Sequence, residues 1–237
     1  MAVIKAVDEY ADLLRISVAS AGNDHRLGAN EAPPAVVSIF LGDELTEVLK
    51  SIENDTYFTS HGAVQMDIGA TVLPHFVKDN TDRNRTSPFA FTGNKFEFRM
   101  LGSAASVANP NIVLNTAVAE ALDQFAKELS DVAPEDMEHA VHELIKRAIK
   151  KHKRVIFNGN GYTDEWIEEA AKRGLYNLKS TPDAMPMWIA DKNIELFTKH
   201  SIFTSEELHS RYEIWLENYS KTINIESNTM VEMVQKD

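Results

Sequence analysis

Cysteine is absent from all 237 residues. That excludes disulfides and thiolate metal sites, and it fits a reducing cytosol. Long apolar runs are missing as well: nothing approaches the roughly 18 consecutive apolar residues of a membrane helix. Met1 to Tyr10 carries charges within a helical pattern and has no apolar centre of the kind a signal peptide needs. Positive charge is scarce, with 24 Lys and Arg against 36 Asp and Glu, for a net charge of -12. Such a balance argues against general nucleic-acid binding. It still admits a small anionic substrate, because a few arginines can reverse the field inside a cleft. No serine sits in an elbow such as G-x-S-x-G, so serine catalysis has no support.

What is present is ordinary globular material, 43% hydrophobic and 25% charged, long enough for one large domain or two small ones. Val7, Tyr10, Ala11, Leu14 and Val18 recur at helical spacing, which predicts a helix from Val3 to Ala19. Asn23 to Pro34 reads as a loop by its Gly, Asn and Pro content. "AVVSIFLG" reads as a short buried strand, Glu44 to Ile52 as a helix, and Val64 to Ile68 as a possible strand. Phe89 to Phe91 and Phe96 to Leu101 are further strand candidates. The remainder is helical in pattern. Asn111 to Leu129 carries a stripe of Val118, Ala121, Leu122, Phe125 and Leu129. The next helix, with Pro134 in its first turn, presents Met137, Val141, Leu144, Ile145 and Ala148. Thr163 caps a helix that stops at Gly174, and Thr204 with Glu207 has capping-box spacing. The expected architecture is an α+β core followed by a helical C-terminal extension. Both ends fall within helical patterns, the second at "MVEMVQKD", which suggests a segment of a longer protein.

Three charged stretches stand out. In "KFEFRM", Lys95, Glu97 and Arg99 fall on one side of a strand, with Phe96, Phe98 and Met100 on the other. The face could be a mixed-charge outer surface. It could equally be a cleft floor, with a hard carboxylate donor for magnesium and two cations for anionic groups. In "GNDHRLGANEAPP", Arg26 and Glu31 sit either on a plain surface loop or on a mobile flap over a substrate. In "DRNRTSP", Arg83 and Arg85 point the same way if extended, and with Arg26 and Arg99 they would make an anion-binding cluster. Other signals are weaker. "NGNGYTDEW" reads as a strand-to-helix turn and lacks the P-loop Lys-Ser/Thr. "KRAIKKHKR" reads as a basic helix C-terminus matching the helix dipole. His139 and His142 are three apart on a helix without a visible third metal ligand.

Together, "GNDHRLGANEAPPAVVSIFLG", "DRNRTSPFAFTGNKFEFRMLGS" and "ANPNIVLNTAVAEAL" resemble, in order, the catalytic half of glutamine synthetase, most closely its long-chain type III class. The resemblance implies residues 1–130 as part of the catalytic domain, with an antiparallel sheet, and 131–237 as a helical C-terminal region. It implies glutamine synthesis from glutamate, ammonium and ATP through γ-glutamyl phosphate, with Mg2+ or Mn2+, by a cytoplasmic double-ring homo-oligomer that binds neither nucleic acid nor membrane. By the same resemblance Glu97 is a metal ligand, Arg99 and Arg26 bind glutamate, and Lys95 contacts ATP. Arg85 touches glutamate or the transferring phosphoryl group. Glu31 is the flap carboxylate that shields the intermediate and takes a proton from ammonium.

The chain departs from the shorter classes in four ways. The Arg26 to Glu31 spacing is one residue shorter, and Ala90 stands where a second phosphate-binding arginine is expected. About Asp43 to Asp79 is inserted, and Lys95 replaces an arginine. The family's other metal carboxylates, its metal histidine and its Asn-Gly substrate loop precede the matching region, so activity is not expected from this segment alone. A related γ-glutamyl carboxylate–amine ligase and a non-catalytic glutamate- or nucleotide-binding relative are the alternatives.

Overall fold

The structure is a computed structural model that describes residues 1–29, 32–58, 65–66, 76–77 and 86–236, the two short pairs by their backbone alone. It is mostly helical, with one small mixed sheet. The helices are α1 (Ala2–Glu9), α2 (Ala11–Ile16), α3 (Ala21–Arg26), α4 (Asp43–Glu53), α5 (Ala108–Leu129), α6 (Met137–His152), α7 (Asp164–Lys172), α8 (Thr181–Ala184), α9 (Asp191–Lys199) and α10 (Ser205–Lys236). The strands are β1 (Ile39–Phe40), β2 (Gln65–Met66), β3 (Phe76–Val77), β4 (Phe89–Phe91) and β5 (Phe96–Phe98).

The sheet order is β1-β4-β5; β1 lies parallel to β4, and β4 antiparallel to β5. The expectation of an antiparallel sheet is therefore corrected. The stretch between β1 and β4 carries α4 and returns the chain in the same direction, so that pair is parallel, as crossovers require. β2 and β3 form a separate antiparallel pair, and the rest of the strand expected at Val64 to Ile68 lies outside the described residues.

The helix expected from Val3 to Ala19 is broken at Tyr10, where the backbone leaves the helical region at φ −121°, ψ 28°. The break has a packing reason. Every residue of α2 is buried, as are Ile4 to Asp8 of α1, and one straight helix could not bury so much of its circumference. The loop expected from Asn23 begins instead as α3, because the Ser20 side chain caps it by accepting a hydrogen bond from the Asn23 N–H. On α5 the buried face is Val113, Thr116, Ala117, Glu120 and Ala121, while Leu122 is exposed. Ala117 and Ala121 pack on Ala6 of α1, so small side chains, not large ones, set the contact.

One apolar core runs from α1 and α2 through β1 and α7 to the first turns of α10. Its aromatic centre is Trp188, which packs on Phe197 and Trp215 and donates its indole N–H to the Leu208 carbonyl at 3.1 Å. Phe157 and Trp166 stack with centroids 3.7 Å apart. Thr163 caps α7, Gly174 follows it at φ +71°, and Thr204 and Glu207 exchange both hydrogen bonds of a capping box. Among the described residues no helix is long and apolar enough to cross a membrane.

Candidate functional site

β4 and β5 are joined through Thr92 to Lys95, and the Thr92 N–H donates to the Lys95 carbonyl at 2.9 Å. Gly93 takes φ +94°, a conformation that a side chain would strain. Phe89, Phe91, Phe96 and Phe98 share one face, their rings 5.2 to 5.8 Å apart in successive contacts. That apolar face packs toward the core and fixes the register, so the alternating residues are forced to the other face. There, Glu97 Oε1 lies 3.1 Å from Lys95 Nζ, and Glu97 Oε2 lies 3.0 Å from Arg99 Nη2. Thr92 Oγ1 donates to Glu97 Oε1 at 3.5 Å. Side-chain exposure falls along the face from 66% at Lys95 through 36% at Glu97 to 15% at Arg99. The carboxylate can therefore be reached from outside, while the Arg99 side chain is mostly covered. Hydrogen bonds from Lys95 first and Arg99 second hold the Glu97 carboxyl below its usual range.

Arg26, from α3, joins this face at its far end. Its guanidinium donates to the Met100 carbonyl and to Asn23 Oδ1, each at 3.2 Å. Asn23 is the joint between the two segments: its amide donates to the carbonyls of Val18 at 2.8 Å and Met100 at 2.9 Å. Sequence alone does not mark it, because an Asn inside a polar loop carries no local signal of a partner 77 residues away. Ahead of it, the loop is closed by bonds from Gly28 N to Pro33 O and from Ala32 N to Ala29 O. Glu31, Arg83 and Arg85 lie outside the described residues. Ala90 is fully buried and pairs directly with Glu97, so the position where the shorter classes carry an arginine lies on the carboxylate's own face.

The other sequence candidates take structural places. Asp24 accepts from Arg15 at 2.7 Å and from the Thr181 N–H at 2.6 Å, tying α3 to α2 and α8. Asn158 of the "NGNG" turn accepts from the N–H groups of Leu41 and Gly42 and so holds the start of α4. A Cβ at Gly161 would come within 2.5 Å of the Thr86 carbonyl, so the turn admits only glycine there. His139 and His142 are exposed. His142 does meet Asp55 and Glu143 in an arrangement that could hold a cation, but Lys146 already pairs with Asp55.

Elsewhere, Glu120 of α5 is buried against α9. It accepts from Lys199 at 2.6 Å and from Gln124 at 2.6 Å, and lies 2.7 Å from His200 Nε2. Burial opposes its charge most strongly, but the bonds from Lys199, Gln124 and His200 together outweigh burial and hold the carboxyl at about 2. Burial, and then the Glu120 charge, pushes the nearby Tyr10 hydroxyl up to about 12.

A half-exposed carboxylate clamped by two cations, beside a tied loop bearing a third, suits a family whose substrates are anions. Comparison with known proteins identifies a ligase family. The glutamine synthetase C-terminal domain profile matches residues 140–237. A glutamine synthetase of Butyrivibrio fibrisolvens is 58% identical over 242 residues, spanning all of this chain and 34% of the relative. The type-3 glutamine synthetase of Dictyostelium discoideum is 51% identical over 234 residues, spanning 98% of the chain and 32% of the relative. A glutamine synthetase of Bacteroides fragilis is 40% identical over 234 residues, with 96% and 32% covered. The chain belongs to the glutamine synthetase family, as part of its C-terminal region. It spans about a third of the length of the curated relatives it matches.

Proposed function

We propose that this chain supplies part of the active site of a glutamate–ammonia ligase, which makes glutamine from glutamate, ammonium and ATP through γ-glutamyl phosphate. The observation that carries the reading is the charged face of β5, with Glu97 between Lys95 and Arg99 and with Arg26 bound at the Met100 carbonyl. Arg99 and Arg26 grip the carboxylates of glutamate, where a planar guanidinium matches a carboxylate fork. Lys95, the most exposed of the three, reaches the phosphate chain of ATP as a point charge. Arg85 neutralises charge on the transferring phosphoryl group. Glu31 closes over the intermediate, excludes water and takes the proton from ammonium.

The donor type at Glu97 suits Mg2+ or Mn2+: a hard, partly exposed carboxylate for which a cation would compete with the bonds from Lys95, Thr92 and Arg99. One carboxylate does not complete a magnesium shell; waters, phosphate oxygens of ATP and further carboxylates would supply the rest. A divalent cation bound there would offset charge between the polyphosphate and the substrate carboxylate. The intact enzyme is proposed as a cytoplasmic, double-ring homo-oligomer, a setting that the absence of cysteine fits.

The test joins this chain to the remaining two thirds of the Butyrivibrio relative and assays ATP-dependent glutamine formation beside the 237-residue chain alone. The chimera is expected to form glutamine from ammonium, and the chain alone is expected to form none. Turnover of larger amines in place of ammonium would move the reading to another carboxylate–amine ligase. Glutamate binding without turnover in the chimera would move it to a non-catalytic relative.

A further inference from the structure

A groove of about 480 Å³ opens between α4, the end of α6 and the end of α7. Its floor is apolar, made by Leu49, Ile149 and Ile156. Its rim gathers six of the chain's 24 cations against one carboxylate, Glu53. In a chain of net charge -12 that concentration needs a reason. Helix dipoles supply part of one, since Lys50 lies in the last turn of α4, Lys150 and Lys151 in that of α6, and Arg173 at the C-cap of α7. A dipole accounts for a cation at each helix end. It does not account for three such ends surrounding one apolar concavity.

Four of the six cations are fixed. Lys153 pairs with Glu53 at 2.6 Å, Arg154 with Asp8 at 2.7 Å, Arg173 with Glu169 at 2.9 Å, and Lys151 with Glu9 at 3.3 Å. Arg154 is anchored from below, because its partner Asp8 is buried and also bonded to the buried His152 at 2.7 Å. These pairs occupy four of the rim's cations. Lys50 and Lys150 differ: both are exposed, they come from different helices, and neither has a partner among the described residues.

We propose that this groove binds a small organic phosphate, with its flat apolar body on Leu49, Ile149 and Ile156 and its phosphate between Lys50 and Lys150. The volume of the groove lies in the range of small-ligand pockets, and its concavity favours a small molecule over a protein surface. Two free ammonium groups suit a phosphate, which lysine grips as a point charge. None of the residues that the proposed ligase function uses lines the groove, so the site stands or falls separately from that function.

The test is a fluorescence titration of the 237-residue chain with 1-naphthyl phosphate at low salt, beside inorganic phosphate and 1-naphthol as competitors. Saturable binding is expected, at least about tenfold tighter than that of inorganic phosphate, because the ring adds apolar burial. Lys50→Gln with Lys150→Gln should weaken it about tenfold or more. Because neither lysine has a partner among the described residues, the circular dichroism spectrum should not change. A second double variant, Lys95→Gln with Arg99→Gln, should bind as the parent does. No saturable binding, equal affinity for inorganic phosphate and the naphthyl ester, or full affinity in the Lys50/Lys150 variant would each overturn the proposal.

Discussion

Glu97 and Glu120 are both carboxylates held by cations, yet they are built in opposite ways. Glu97 takes its partners from its own strand, two residues to either side, and keeps 36% of its side chain exposed. Glu120 takes one bond from Gln124 of its own helix, but its cations are Lys199 at the end of α9 and His200 just after it, 79 and 80 residues away, and it keeps 8%. The first arrangement leaves a charged group facing outward, where a ligand can compete for it. The second closes the charge inside a helix contact and joins α5 to α9. A clamped carboxylate is therefore a site or a staple according to what remains open around it, not according to how many cations touch it.

Four measurements would break or sharpen that contrast. The largest effect is expected for Glu97→Gln in the chimera, a loss of about a hundredfold or more in glutamine formation, as removal of a preorganised charged group commonly gives. Its thermal midpoint should stay that of the parent, since an exposed pair contributes little to stability. Next comes Glu120→Gln, which leaves Lys199 only the more exposed Asp123, 3.0 Å away, as an ionic partner. Breaking a buried pair costs about 3–5 kcal/mol, and the partial exposure of Lys199 lowers the expected loss to about 2 kcal/mol. For a chain of this size that is about 4–8 °C in the midpoint of a melting curve.

The third is a pH series. The Glu120 carboxyl lies near 2 in the fold against an ordinary 4.5, so the folded state favours the ionised form. Its stabilisation is present above about 4.5 and is lost as the pH falls toward about 2. Denaturant midpoints of parent and Glu120→Gln should therefore converge across that window, and parallel curves would contradict the assignment. The smallest effect is expected for Thr204→Ala, about 1 kcal/mol by denaturant unfolding, the usual cost of a lost N-cap.

What could be read in advance divides along the same line. Thr204 with Glu207, Thr163 with Gly174, and the alternation of Lys95 to Met100 are signals within one turn or one strand, and the structure contains each of them. The break at Tyr10 was not legible, because no Gly or Pro marks it and the cause is burial of both helices on nearly all sides. Leu122 misled because a large side chain outweighs an alanine in any periodicity, while the α1–α5 contact is made by Ala6, Ala117 and Ala121. The parallel pairing of β1 with β4 depends on the path of the chain between them, which no residue within either strand encodes. At the site, Lys95, Glu97 and Arg99 were legible as a set, and the tie from Arg26 to Met100 was expected only as proximity. Asn23, which makes that tie, was silent for the same reason as the Lys199 partnership: its meaning is tertiary.

The most direct test of the central claim places the two carboxylates side by side. Glu97→Gln and Glu120→Gln are made separately in the chimera, and glutamine formation and the melting midpoint are measured on each. The expected result is a double dissociation: Glu97→Gln loses turnover and keeps its midpoint, while Glu120→Gln lowers the midpoint and keeps turnover at temperatures well below it. Full turnover in the Glu97→Gln chimera would contradict the assignment of the β5 face to the active site.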